Sequence, residues 1–389
     1  MNPWSWNENA KIDAAKMSLI PIAVLTLITN ILVIFIFVRK KMMSALNVIL
    51  VGISISDTLT VLIPAIAVLF SYMDGVYPDY IPSESCRIWG YLTKYFPTIT
   101  HNASVWLTVI LAFDRYLVIR HPFLIRRICL PRTSLVVIVM IYLCAILCNI
   151  CRFIDTEYVP VKIIPVSAAY QYYNTTLDEY HSNFTSGSDD DRSTSHPHVN
   201  MHKLCKESEG IETCRAVYTP FFAKFEGYEF CYYWFVILFV KFLPCSAMII
   251  LDTLMIQGLR QAESFRHFLS LQCTNRFESH IRSKYYESRR MTKVVIVAVI
   301  IVIIVELPIG IILILWTLSE IHDYHIITER TLSRLSRAAN GVVYISYPII
   351  FLLYCSVSAQ FRNAICNLHP CRRLAIFKRR SSASETSDG

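Results

Sequence analysis

Residues 294–316 read VVIVAVIIVIIVELPIGIILILW, and the only charged residue in the run is Glu306, two places before Pro308. A helix needs roughly 20 apolar residues to cross the hydrocarbon core of a bilayer, and this run supplies them. A carboxylate at mid-bilayer is disfavoured by about 2.5 kcal/mol or more on insertion scales. Glu306 is therefore expected to face the interior of a helix bundle and to have a partner there. Pro308 frees a carbonyl and bends the helix, which admits water or a side chain.

The rest of the chain fits a bundle. Of 389 residues, 54% are hydrophobic and only 17% charged, with a mean hydropathy of +0.44, which is too apolar for a soluble protein of this size. Further apolar windows lie at 18–38, 45–70, 88–112, 134–153, 231–256 and 338–359, which with 294–318 makes seven. The third and seventh are the most polar. The expected fold is all-α: a seven-transmembrane bundle over 18–359, an N-terminal segment 1–17, a tail 360–389, and a short amphipathic helix after the last span. The first span is expected to act as its own insertion signal.

Lys and Arg set the orientation. Of 37, the loops after spans one, three and five plus the tail hold 22, and the opposite side holds 13. The tail is thus expected in the cytoplasm and the N-terminus outside. The sequons at Asn174 and Asn183 then fall in the long outer loop 154–230, where glycans can be added, whereas Asn102-Ala-Ser lies inside a span and is a chance match. Cys86, Cys205 and Cys214 lie on the oxidising side, where a disulfide persists; Cys366 and Cys371 follow the last span and are palmitoylation candidates.

Loop 154–230 contains SGSDDDRSTSHPH, a turn-rich stretch not expected to fold by itself, and the outer segments together carry 20 acids against 13 bases, an excess that reads as solubility or as attraction of a cationic ligand. The basic loop 257–293 begins as an extension of span five. The tail ends SSASETSDG, whose hydroxyls suit a receptor kinase and, after phosphorylation, arrestin. No internal repeat is evident, against a repeat-built transporter. No metal-ligand cluster or nucleophile constellation points to an enzyme, and neither a cofactor nor nucleic acid is expected as partner.

Span three places Lys94, Pro97, His101, Ser104, Thr108, Leu111 and Arg115 at steps of three and four, hence on one face. Lipid cannot satisfy a polar stripe, so this face must meet protein or water. Ser104 and Thr108 read as interhelical hydrogen bonders; Lys94 and His101 read as either that or ligand contacts. The stripe ends in AFDRYLVIRHP, residues 112–122, where Arg115 can be held by Asp114 and released to a partner protein when helices part.

With seven spans around it, this Asp114-Arg115-Tyr116 triplet resembles that of the rhodopsin-like (class A) G-protein-coupled receptors. The resemblance covers nearly the whole membrane part. Asn30 and Asp57 stand where that family keeps a polar, water- and sodium-filled core. Pro244, Pro308 and Pro348 stand at its helix-bending positions. Cys86 resembles its disulfide cysteine, with Cys214 the preferred partner and Cys205 the alternative.

The departures are informative. Span four lacks tryptophan, VELP replaces the aromatic motif before the span-six proline, Tyr347-Pro348 replaces Asn-Pro, and Phe351 stands where a tyrosine is usual. Cys86 lies about one helical turn further from Arg115 than the usual interval. KYFPTITHNASVWLTVILAFDRY, CRFID, FVKFLPC, IVELP and SYPIIFLLYCSVSAQFR are similar to the invertebrate myosuppressin and sex-peptide (myoinhibitory-peptide) receptor branch of FMRFamide-like neuropeptide receptors, although Ile350 replaces an Asn common there.

The resemblance implies an extracellular amidated neuropeptide (RF-amide or W-amide type), a heterotrimeric G protein of the Gi/o type, and contact with membrane lipids. A retinal-binding lysine is missing from 338–359, and Pro97 occupies the neighbourhood where amine receptors carry an acid. Glu306 stands where most relatives keep a ligand-sensing tryptophan. It is expected either to bond to span three or seven, or to floor the peptide pocket, pairing with a ligand Arg or amide or with His101.

Overall fold

The computed structural model describes residues 19–39, 44–73, 86–121, 124, 129–163, 211–225, 227–270, 278–321 and 329–357. Asn174, Asn183, Cys205, Cys366, Cys371, the amphipathic helix after span seven and the serine-rich tail lie outside them.

Among the described residues, seven helices are long and apolar enough to cross a membrane. They are Leu19–Phe37, Ala45–Phe70, Tyr91–Arg120, Pro131–Asp155, Phe230–Gln261, Arg289–Leu318 and Arg334–Leu353, hereafter spans one to seven. Local chemistry sets their ends. The Ser44 hydroxyl accepts from the Asn47 amide (3.3 Å) before span two, and Pro131 opens span four, where its missing N–H is no loss. The helices of spans five and six continue past the bilayer-length windows, to Ser270 and back to Glu278, so the start of loop 257–293 is indeed an extension of span five. The third window, 88–112, was placed too early: the helix continues to Arg120, because the polar stripe lowers the hydropathy without interrupting the helix.

Two π-helical turns interrupt the spans, Tyr91–Tyr95 and Val236–Phe242. Each precedes a proline, Pro97 and Pro244. A proline ring clashes with the carbonyl four residues back and offers it no N–H, and a widened turn relieves both problems. Each π turn also carries a lysine, Lys94 and Lys241.

The described residues form two units. The first draws on Met1–Ile66, Phe96–Cys151 and Phe225–Gly389. In it span three packs against spans five and six, span six against spans five and seven, and span seven against span one. Its main core joins Ile36, Ile49, Leu107, Leu111, Met248, Met255, Val295 and Val299. Large apolar side chains such as Leu147, Ile304 and Leu352 point outward, as a lipid-facing surface requires. Gly52 admits the Ile138 side chain of span four, which a Cβ would approach to 3.1 Å.

The second unit draws on Ala67–Tyr95 and Arg152–Lys224. The turn-rich stretch SGSDDDRSTSHPH of the loop 154–230 lies outside the described residues, while the two ends of the loop form a hairpin that the sequence reading did not foresee. TEYVPVKI forms β1 (Thr156–Ile163) and pairs antiparallel with IETCRAVY, β2 (Ile211–Tyr218), in the register Thr156↔Tyr218 to Ile163↔Ile211. The all-α class holds with this hairpin added. The short helix Cys86–Gly90 packs against both strands, and Gly90 is required: a Cβ there would lie 2.5 Å from the Tyr158 ring. Tyr91 stacks on Phe153 (5.2 Å) and donates to the Thr156 carbonyl (2.8 Å). Arg152 holds Asp155 (3.3 Å) and donates to the Tyr218 hydroxyl (3.2 Å), and Arg87 pairs with Glu157. Burial, aided by Tyr95, pushes the Tyr158 phenol above its ordinary range.

Candidate functional site

Glu306 is 2% exposed and is bracketed by two basic groups. Lys241 Nζ of span five donates to Oε2 at 2.8 Å, and His101 Nε2 of span three lies 2.7 Å from Oε1. The lysine contact is a well-formed hydrogen bond, whereas the histidine contact is a close approach whose angle is poor for one. On its other side, His101 Nδ1 meets the Tyr347 hydroxyl of span seven at 3.1 Å. One carboxylate thus ties spans three, five and six, and span seven through the imidazole. Toward the N-terminal end of span five, Tyr233 packs edge-on to Trp316 of span six at 4.3 Å, a second tie between the same helices.

The expected pairing of Glu306 with His101 is present. Lys241 was not anticipated, although the signal was available. Of the 37 lysines and arginines, the loops, tail and N-terminal segment account for 35; the remaining two are Lys94 and Lys241. A lysine inside FVKFLPC raises the question that Glu306 raises inside its own run, and the two answer each other. Burying both charges incurs a desolvation penalty of several kcal/mol per ion, which the pair offsets only while both partners are present.

Beneath this cluster lies a cavity of about 40 Å³, lined by Asp57, His101, Ser104, Thr108, Glu306 and Tyr347 among others, with Ile350 on its wall. It has room for a few waters. Asp57 accepts from the Ser104 hydroxyl (2.5 Å), while Asn30 donates to the Thr58 hydroxyl (3.1 Å) instead of to Asp57. Asn30 and Asp57 line a second small cavity with Tyr347, Ile350 and Phe351. Two further bonds tie span two to its neighbours, Thr60 with Thr100 of span three (2.8 Å) and Ser56 with Tyr142 of span four (2.6 Å). The span-three stripe is inward-facing from Pro97 onward. Lys94 belongs to the second unit, its ammonium 5.9 Å from the Tyr95 ring centroid, and the π turn takes it out of regular helical spacing.

At the far end of span three, Arg115 donates through Nε (3.1 Å) and Nη2 (2.6 Å) to Asp114 Oδ2, as expected of a held arginine. Tyr116 is half-buried, edge-on to His121. Cys129 also reaches this site: burial, and then its hydrogen bond to Asp114, push its thiol up to about 12. Of the bending prolines, Pro244 and Pro348 are buried, while Pro308 faces outward. Cys214 lies in β2 opposite Pro160, on the hairpin that the helix starting at Cys86 packs against.

A model of the serpentine type 7TM GPCR chemoreceptor Srw family matches residues 18–197 and 192–372. The chain is similar to the sex peptide receptor of Drosophila melanogaster, 27% identical over 358 residues covering 90% of this chain and 71% of that receptor. It is similar to the sex peptide receptor-related protein 2 of Caenorhabditis elegans, 29% identical over 353 residues covering 88% of this chain and 68% of that one. A shorter similarity, 26% over 154 residues, covering 39% of this chain and 38% of its counterpart, links it to the allatostatin-A receptor of Bombyx mori.

Proposed function

The chain belongs to the serpentine seven-transmembrane G-protein-coupled receptors, multi-pass proteins of the plasma membrane, and from that premise we propose that it is the receptor for an amidated neuropeptide of RF-amide or W-amide type, signalling through Gi/o. The observation that carries the reading is the Lys241–Glu306–His101 cluster, a buried ion group joining spans three, five and six where an entering peptide end would meet it. Relatives named for a sex peptide and for allatostatin-A support a peptide as the ligand class.

Lys241 already neutralises Glu306, so a peptide guanidinium reaches the carboxylate by displacing the ammonium, and a peptide C-terminal amide does so by competing for the same oxygens. Either exchange weakens the tie between spans five and six. A ligand shifts a two-state equilibrium only by its differential affinity for the two states, and this exchange supplies it. The far ends of spans five and six then part, and Arg115 leaves Asp114 to meet the G protein. In this reading the side bearing Arg115 is cytoplasmic, Cys86–Cys214 is the disulfide, and Asn174 and Asn183 carry glycans outside. Cys366 and Cys371 take lipid, and the tail serves receptor kinase and arrestin.

The test is expression in cells with a panel of synthetic RF-amide and W-amide peptides, reading G-protein activation. The reading expects a response to at least one class, sensitive to Gi/o blockade. Silence across the panel, with surface expression confirmed, contradicts it.

A further inference from the structure

Among the buried polar side chains outside the cluster, Asp252 of span five is 5% exposed and Asn102 of span three 6%, and neither side chain makes a hydrogen bond among the described residues. Asp252 shares its helical face with the core residues Met248 and Met255. Asn102 instead lines a cavity of about 330 Å³ between spans three, four and five. Trp106, one turn further along span three, lines it too, with Met140, Cys144 and Cys148 of span four and Val240 of span five. Met140 and Cys144 are exposed on the outer surface of the bundle, so the cavity opens toward lipid. Its lining along span four runs from Val136 to Cys148, about 18 Å of helix.

Asn102 lies about 16 Å along span three from Tyr91, which sets its amide near the middle of a hydrocarbon core about 30 Å thick. Ordinary membrane lipids present only hydrocarbon at that depth, and an amide without a partner in hydrocarbon is destabilising. One water would satisfy the amide but fill only about 30 Å³, and the remaining lining is too apolar to hold others. None of the described residues that line the cavity is charged, so a carboxylate or an ammonium would be buried there without a counter-charge. The occupant that fits is uncharged, apolar along most of its length, and carries a hydrogen-bonding group at the end that reaches the bilayer centre. A hydroxyl serves, since it can donate to the Asn102 amide oxygen or accept from its N–H. A rigid body is favoured over an acyl chain because it loses less conformational freedom on being held.

We propose that this cavity binds a sterol hydroxylated at the end of its side chain, taken up from the bilayer, with that hydroxyl on Asn102 and the fused rings along span four. An unmodified sterol carries its hydroxyl at the opposite end, at the membrane surface, and leaves Asn102 without a partner. The inference rests on the membrane-protein reading and not on the nature of the peptide. Asn102 follows His101 and Val240 precedes Lys241, so the occupant packs against the helix segments that present both basic groups to Glu306.

The test uses the full-length receptor in phosphatidylcholine vesicles with a photoreactive cholesterol analogue, competed either by cholesterol or by cholesterol hydroxylated at the end of its side chain. Crosslinks are expected within 102–106 and 136–148. The hydroxylated competitor should act at about tenfold lower concentration, the factor that satisfying one buried polar group corresponds to. Asn102→Leu, similar in size but without the amide, should bring the two competitors within about twofold by weakening the hydroxylated one alone. Met140→Trp, at the lipid-facing mouth and away from the core, should remove the labelling. Equal competition at the native receptor, a preference that survives Asn102→Leu, labelling that survives Met140→Trp, or crosslinks confined to other segments would each overturn the proposal.

Discussion

Glu306 and Asp252 are both buried acids in neighbouring spans of one bundle, yet the first has a lysine and a histidine within 3 Å and the second has no hydrogen-bond partner among the described residues. The difference separates two uses of charge in a membrane helix. A fully paired carboxylate holds helices together and can be opened only by a competitor. An unpaired one destabilises the state in which it is unpaired, and so favours any other state that brings it a cation.

Substitutions should therefore act in opposite directions at the two sites. Glu306→Gln leaves Lys241 buried without its counter-charge, and an uncompensated buried charge costs about 3–5 kcal/mol. Loss of most surface receptor in a flow-cytometry assay is the expected outcome, with substantial recovery in the double variant Lys241→Met/Glu306→Gln. Ser104→Ala should follow, removing the hydroxyl that donates to Asp57. With space for water in the adjoining cavity, the expected loss is about 1–2 kcal/mol, read as a lower Tm in detergent. Asp252→Leu should go the other way, raising stability by about 1 kcal/mol in the same melt, because it removes a buried polar group that has no hydrogen-bond partner among the described residues. A melt in which Asp252→Leu falls as far as Glu306→Gln would erase the distinction.

The smallest effect concerns Cys129. Its thiol, pushed up to about 12 by burial and by Asp114, is protonated at any ordinary pH. The thiolate is the reactive form, so maleimide labelling at about pH 8 should be slow and should accelerate as pH is raised toward that value. Arg115→Gln removes the charge that draws the thiol's pKa down and should slow the labelling further.

Much of this was legible in the sequence where a single residue broke a strong pattern. Glu306 did so in a run otherwise free of charge, and the span-three stripe did so by its regular spacing. Lys241 and Asp252 were equally anomalous in principle, but FVKFLPC and MIILDTLM are shorter apolar stretches, and the proline in the first drew attention to helix bending instead of to charge. The pairing of Lys241 with Glu306 joins residues 65 positions apart, which no local pattern encodes. The hairpin was hidden for a similar reason. TEYVPVKI and IETCRAVY each alternate only weakly, and their pairing spans a long polar stretch that dominated the reading of the loop. The end of span three was missed because hydropathy measures transfer into lipid, and a helix surrounded by other helices need not be apolar.

The central claim is that Lys241 and Glu306 act as a pair, and exchanging their charges tests it most directly. Lys241→Glu and Glu306→Lys should each abolish surface expression or the peptide response. The double exchange, which restores one cation and one anion between spans five and six, should recover at least half of surface receptor, with coupling of the two substitutions well above about 1 kcal/mol. A double variant no better than either single, or single variants indistinguishable from the native receptor, would contradict the account.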